Sequence, residues 1–248
     1  MGVHEDLEFA HKLADAADAI TTARFQALDL RVDTKPDLTP ASEADSAAEE
    51  AVRRLVRSSG RGEGVVGEEL EEEVGDSRWI VDPIDGTKNY VRGMPVWATL
   101  LALEREGRLQ CALASAPLLA RRWWATRGGG TYVNGKRCSV SKIARVEDAY
   151  ISTVTSGRPA AGLQELIDRA WSAQSLGGFW QHCLVAEGVV DVACQPRPRL
   201  WDAAATTLIV AEAGGRVTTY EGGEPADAAS YVTTNGLLHD EVVQLLSR

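Results

Sequence analysis

Residues Trp79–Tyr90 read WIVDPIDGTKNY: an apolar run stops on Asp82, passes through Pro83 and Ile84 to Asp85, and continues at once into Gly86 and Thr87. The leading Trp-Ile-Val has the short, β-rich character of a buried strand. Pro83 cannot donate to a sheet ladder and restricts the residue before it, so the strand is expected to end near Asp82. Asp82 and Asp85 then converge on one side of a tight turn, with the Ile84 carbonyl between them lacking a regular partner. Three hard oxygen donors facing one small volume suit Mg²⁺. Asp85, Gly86 and Thr87 have the look of the first turn of a short helix, where unpaired N–H groups and the helix dipole favour an anion. Gly86 lets the backbone come close to a ligand, and Thr87 adds a hydroxyl. The stretch can hold a metal beside a phosphate, or it can be a strand end closed by an Asx-type turn.

Working outward, GVVGEEL places Glu68 and Glu69 directly after another short buried strand, where a carboxylate can complete a metal's shell. Taken alone, this acidic run reads as a solvated loop. Downstream, RLWDAAATTLIVAEAGG sets Asp202 just before a strongly apolar helix. There it can cap the helix, face a ligand, or do both. Upstream, Leu7, Ala10, Leu13, Ala14, Ala17 and Ile20 recur at helical spacing and predict an amphipathic helix from about His4 to Leu28. A polar stretch containing Lys35 leads to Ser42-Glu43-Ala44-Asp45, a capping-box-like start for a second helix through about Arg57.

After Gly64 the texture changes to short β-rich runs separated by turns such as Asn134-Gly135, the pattern of a mostly antiparallel meander. From about Tyr150 strands alternate with helical patterns. The expected organisation is an N-terminal half, residues 1–150, carrying the helix pair, the meander and most of the acidic candidates. An α/β half, residues 151–248, packs against it as one compact unit.

The chain has 248 residues, 44% of them hydrophobic, and a formal net charge of −10. That length and content can bury a full core. The negative charge opposes general affinity for nucleic acid or an anionic membrane, so a polyanionic substrate needs local help, most simply a metal ion. No window has the apolar length of a membrane span, and the first residues lack a secretory pattern, which points to a cytoplasmic protein. Cys111, Cys138, Cys183 and Cys194 have no CxxC spacing and read as reduced core residues. None of His4, His11, His182 or His239 lies in a motif.

Taken together and in this order, VGEE, WIVDPIDGTKNYV and WDAAATTLIVAEAGG resemble the inositol monophosphatase family of Mg²⁺-dependent, typically lithium-sensitive phosphomonoesterases. KPDLTPASEAD and CLVAEGVVDVA extend the resemblance to nearly the whole chain. Within the family, RVDTKPDLTPASEAD, GTKNYVRGMPVWATLLALE, RRWWATRGGG and TTNGLLHDEV look most like the histidinol-phosphate phosphatase branch of actinobacterial type.

The resemblance implies an α+β fold with layered αβαβα order. It assigns Glu68, Asp82 and the Ile84 carbonyl to one Mg²⁺, and Asp82, Asp85 and Asp202 to a second. Two or three ions per site are implied, with Mn²⁺ as a substitute. Glu68 and Thr87 orient and deprotonate the attacking water, Asp45 tunes Thr87, and the Gly86 and Thr87 amides hold phosphate oxygens. Asp85 and Asp202 also face the substrate, a small phosphorylated molecule. L-Histidinol phosphate is the favoured one, ahead of inositol 1-phosphate or a broad range of sugar phosphates. A homodimer is implied, to whose surface Trp123 and Trp124 can contribute.

Three candidate substrate contacts depart from the expected pattern. In the segment QSLGGFWQHC, histidinol-phosphate phosphatases of this type usually have Gly-Asp before the aromatic residue and an arginine near the start. Here those places hold Gly178 and Gln174. The acidic residue expected about seven positions before Asp202 is Gln195. A neutral amide still hydrogen-bonds an amine or hydroxyl but gives up charge assistance. An inactive metal- and phosphate-binding regulatory protein is the reading from a different class. It is opposed by the competent oxygen donor at every ligand position. Ca²⁺ storage is opposed by the absence of EF-hand spacing.

Overall fold

The structure, a computed structural model, describes residues 2–36, 38–154, 160–225 and 229–248. Helices α1 (Val3–Arg24) and α2 (Glu43–Ser58) pack on each other. Ala10, Leu13, Ala14 and Ala17 of α1 and Ala48, Val52 and Val56 of α2 are buried, a three-and-four spacing that lines one face of each helix. α1 stops at Arg24 rather than near Leu28, because Phe25 leaves helical geometry to pack on Tyr90 and Trp97. Between the helices, β1 (Val32–Thr34) and β2 (Pro40–Ser42) pair antiparallel, a hairpin concealed by its polar composition.

The meander forms one sheet in sequence order: β3 (Gly64–Gly67), β4 (Ser77–Asp85), β5 (Ala98–Arg105), β6 (Arg108–Ala116), β7 (Arg121–Thr126), β8 (Gly130–Val133) and β9 (Lys136–Cys138). Only the β3–β4 pairing is parallel. Strand alternation sorts the side chains between two cores. Leu101 and Leu103 of β5 and Leu113 of β6 join the helix pair. Ala98, Leu100, Ala102, Ala112 and Ala114 face the other way.

β4 runs past the expected end at Asp82. Asp82 still pairs with Leu100 and Asp85 with Ala98, with an irregularity in register between them. Pro83 interrupts the ladder but does not end it, and the Thr99 hydroxyl donates to the Pro83 carbonyl at 2.9 Å across the break.

The second sheet has the order β11 (Ser172–Gln174), β10 (Tyr150–Thr153), β12 (Val192–Pro196), β14 (Ser230–Thr234), β13 (Arg216–Thr218). Helices α5 (Gly178–Ala186) and α6 (Leu200–Glu212) lie between the sheets. α6 touches β4 through β7 on one side and β13 and β14 on the other. This explains its lack of a polar face: Ala203, Ala204, Ala205, Leu208, Ile209 and Val210 are all buried, and the alanines admit close packing on the alanine-rich sheet face. α4 (Ala161–Arg169) and α7 (His239–Leu246) cover the far side of the second sheet.

The order is therefore helices, sheet, helices, sheet, helices, an α+β fold of layered αβαβα type. The core between the sheets combines residues from both sides of position 150. Trp123 is wholly buried in it and donates to Glu187, so it is core rather than surface. Trp124 is half-buried between His11 and Tyr132. All four cysteines are free, and no helix among the described residues is long and apolar enough to cross a membrane.

Candidate active site

The bulge after Asp82 aims the stretch that follows. The Asp82 carboxylate accepts the Ile84 N–H at 3.0 Å, which closes an Asx-type turn. Gly86 then adopts φ +93° and starts the short helix α3 (Thr87–Val91). A Cβ there would sit 3.0 Å from the Val96 carbonyl, so both conformation and space require glycine. The Thr87 hydroxyl lies 3.0 Å from the Ile84 carbonyl and 3.2 Å from Asp45 Oδ1.

From the second half, α6 delivers Asp202 in its first turn. One ligand oxygen from each of Asp82, Asp85 and Asp202 lies within 4.8 Å of the others. Asp202 also accepts the Arg199 N–H at 2.8 Å, so one carboxylate caps its own helix and meets the other two aspartates. α5 closes the third side, where the Phe179 N–H donates to Asp85. Gly178 sits against the same carboxylate, and a Cβ at this position would come within 2.6 Å of Asp85 Oδ2.

This grouping of negative charge is costly without a cation. Burial, then the charges of Glu68, Asp85 and Asp202, push the Asp82 carboxyl well above the usual carboxylate range. Burial and Asp202 raise Asp85. Burial raises Asp202, partly offset by the Arg199 N–H. Among the described residues none of the three forms an ion pair. One buried and two half-buried carboxylates that repel one another and form no ion pair fit the donor chemistry of a hard divalent cation.

Glu68, whose charge is felt by all three aspartates, pairs with Lys35, whose ammonium lies 2.7 Å from Glu68 and 2.6 Å from Glu69. Burial works against the Lys35 charge, but the bonds to Glu68 and Glu69 outweigh it and raise the pKa. The loop carrying Glu68 rests on Glu49, a fully buried carboxylate absent from the sequence-based candidates. Glu49 accepts the N–H groups of Glu69 and Leu70 at 2.8 and 3.2 Å and pairs with Arg53 at 2.6 Å. The i,i+4 Glu-Arg spacing within an alanine-lined helix was the available signal.

Gln195 is half-buried at the end of β12 and meets the His182 ring. Gln174 is exposed on β11, and its side chain makes no hydrogen bond or ion pair with a described residue. The structure thus gathers Asp45, Asp82, Ile84, Asp85, Gly86, Thr87, Gly178 and Asp202, with Glu68 alongside, while Gln174 and Gln195 make no hydrogen bond to any of them.

Comparison with known proteins agrees with this geometry. Residues 3–248 match the model of the inositol monophosphatase family. A histidinol-phosphatase of Mycobacterium tuberculosis is 48% identical over 256 residues, covering 98% of both chains. One from Streptomyces coelicolor is 44% identical, covering 98% of this chain and 97% of its own. An IMPase structure from Thermotoga maritima superposes with a TM-score of 0.90 at 31% identity, covering 98% of this chain and 97% of that one. With sequence match, fold and carboxylate site in agreement, the chain belongs to the inositol monophosphatase family and is a phosphoric monoester hydrolase.

Proposed function

We propose that the protein hydrolyses L-histidinol phosphate to L-histidinol and phosphate with Mg²⁺, or Mn²⁺ in its place, held by Glu68, Asp82, the Ile84 carbonyl, Asp85 and Asp202. The observation that carries this reading is the meeting of Asp82, Asp85 and Asp202 beside the Thr87–Asp45 pair. The histidinol-phosphatases among its relatives support the choice of substrate. Two or three bound ions supply charge neutralisation for the phosphate and a lowered pKa for a neighbouring water.

The chain's own groups do the rest. Thr87, held by Asp45 and the Ile84 carbonyl, orients the attacking water, and Glu68 accepts its proton. The Gly86 and Thr87 amides align the phosphate oxygens, which the left-handed turn at Gly86 permits. As water oxygen bonds to phosphorus, the ester P–O bond breaks on the Asp202 side; the leaving oxygen takes a proton from solvent water, and Glu68 gives the proton it accepted back to solvent. Lys35 stays protonated and keeps Glu68 in place. Gln174, Gly178 and Gln195 are assigned to the leaving-group side.

The test is kcat/KM for L-histidinol phosphate against inositol 1-phosphate, glycerol 2-phosphate and a 3′-phosphonucleotide at one Mg²⁺ concentration. Histidinol phosphate is expected to lead by at least about tenfold, roughly 1.4 kcal/mol of transition-state preference. A smaller lead removes the substrate assignment and leaves the hydrolase. Undiminished activity in excess EDTA removes the metal. The same reading carries the cytoplasmic homodimer implied by the family resemblance, for which light scattering at working concentration is the check.

A further inference from the structure

Two helices bring the site its second-half groups, and one side chain lies under both. α6 carries Asp202, and the first turn of α5 gives the Phe179 N–H to Asp85. Below them stands Tyr231 of β14. Its strand neighbour Val232 packs with α4 and α7, so alternation turns the Tyr231 ring to the opposite face of the sheet, where α5 and α6 lie. The ring is wholly buried, and burial raises its pKa, so the phenol stays protonated.

Toward α6, the Tyr231 phenol oxygen lies 2.8 Å from the Thr206 hydroxyl, 3.2 Å from that of Thr207 and 3.5 Å from the Ala203 carbonyl. Thr206 follows Asp202 by one turn, about 6 Å along the axis. Its hydroxyl donates to the Asp202 and Ala203 carbonyls at 3.3 and 3.2 Å, so the phenol is tied to the turn that carries the carboxylate. The tie is the same whichever of the two hydroxyls donates. Toward α5, the Tyr231 ring lies 4.5 Å from that of His182 between centroids, and His182 Nδ1 is 2.9 Å from the Thr233 hydroxyl on the same strand. His182 comes three residues after Phe179, about 4.5 Å along its helix. One ring thus joins the two helices a single turn below the groups they bring to the site.

Among the described residues the Asp202 carboxylate accepts only the Arg199 N–H, which belongs to its own helix start. Its distance from Asp85 is therefore set by where α6 sits, against the repulsion between the two charges. We propose that Tyr231 is a positioning residue that holds α6 to α5 at the separation at which Asp85 and Asp202 share one divalent cation, so that the site is assembled before the ion arrives. This rests on the metal reading above. The ion then does not have to draw the helices together, and its affinity is not reduced by a fraction of molecules in which α6 has moved back.

The test is Mn²⁺ uptake by the folded protein without substrate, read from the electron paramagnetic resonance of the free ion, beside the Mg²⁺ dependence of turnover. Tyr231→Phe keeps the ring against His182 and removes the tie to Thr206. It is expected to raise the half-saturating concentration of either ion about tenfold, while kcat at saturating Mg²⁺ and KM for the phosphomonoester stay within about threefold of the parent. Thr206→Val is expected to act in the same direction, and the double variant to be no worse than the stronger single one, since both remove one contact. Val232→Ala, on the same strand but facing α4 and α7, is the structural control: it is expected to lower Tm and to leave half-saturation within about twofold of the parent. An unmoved half-saturation in Tyr231→Phe, an equal shift in Val232→Ala, additive losses in the double variant, or a kcat that excess Mg²⁺ fails to restore each overturn the proposal. If Tyr231→Phe does not fold, Thr206→Val against Val232→Ala decides. A parent that takes up no ion and turns over in EDTA removes the metal reading and this proposal together, whereas uptake by the parent with an unmoved midpoint in the variants removes this proposal alone.

Discussion

Thr87 Oγ1 lies 3.2 Å from Asp45 Oδ1, while Oδ2 of the same carboxylate accepts the Ser42 N–H at 2.9 Å and the Ser42 hydroxyl at 2.5 Å. One buried side chain thus fixes the start of α2 and reaches the hydroxyl at the start of α3. One oxygen holds the helix start and the other holds the Thr87 hydroxyl.

Substitutions should separate those roles. Thr87→Val keeps the shape and removes the hydroxyl. It is expected to lower kcat by about 100-fold or more with little change in Tm, while Thr87→Ser stays within about tenfold of the parent. Asp45→Ala is expected to lose activity and also about 1 kcal/mol of stability, the size of a lost N-terminal cap. Steady-state kinetics and thermal unfolding on the same preparations check this; a Thr87→Val enzyme of near-normal kcat removes Thr87 from the mechanism.

Asp202 carries the same double duty in the second half, where its carboxylate accepts the Arg199 N–H at 2.8 Å. Asp202→Asn retains a capping oxygen and should cost activity far more than stability. Asp202→Ala should add a loss of about 1 kcal/mol. If both variants unfold alike and their folded fractions turn over normally, the residue is a cap and nothing more.

Metal and pH should be linked through the carboxylate trio. Burial and mutual repulsion raise the folded-state pKa of Asp82, Asp85 and Asp202 above the ordinary value of 3.8. Groups raised in this way favour folding below the unfolded value, and the benefit is lost as pH rises through the folded values, about 6 for Asp202 and about 7 for Asp85. In EDTA, Asp82→Asn should therefore have a higher Tm than the parent near neutral pH, with the gap closing toward pH 4. Saturating Mg²⁺ should raise the parent's Tm more at neutral than at acid pH, because binding displaces protons. Differential scanning fluorimetry across pH reads both; a Mg²⁺ effect that does not grow with pH contradicts the assignment.

Glu49 should prove structural at high cost. Its carboxylate is wholly buried, pairs with buried Arg53, and holds the loop that carries Glu68. Glu49→Ala removes the closer of Arg53's two carboxylate partners, leaving it Glu73 at 3.2 Å and the Leu70 carbonyl, and is expected to cost about 3 kcal/mol in urea unfolding. Gly67→Ala should destabilise through the same contact, since its Cβ would lie 2.2 Å from Glu49 Oε1. A loss below about 1 kcal/mol for Glu49→Ala would show that the loop is held by other means.

Much of this was legible along the chain because the decisive signals are local. Strand alternation, the cap at Ser42 and the Asp-Pro-Ile-Asp-Gly-Thr turn each depend on residues within a few positions of one another. The sequence alone therefore determined the helix pair, the meander, the family and the identity of the acidic residues. What it misjudged was also local in appearance. Pro83 looked like the end of β4, yet pairing with β5 resumes at Asp85, because a neighbouring strand supplies bonds that no local rule counts. The polar run before Ser42 hid a hairpin for the same reason.

The meeting of Asp202 with Asp82 and Asp85, the pairing of Glu68 with Lys35, the support of Glu49 and the tie of Tyr231 to Thr206 were decided only in three dimensions. Each joins residues brought together by the stacking of layers. Hydrogen-bond satisfaction in a desolvated interior is a property of the whole packing, so spacing along the chain carries no record of it.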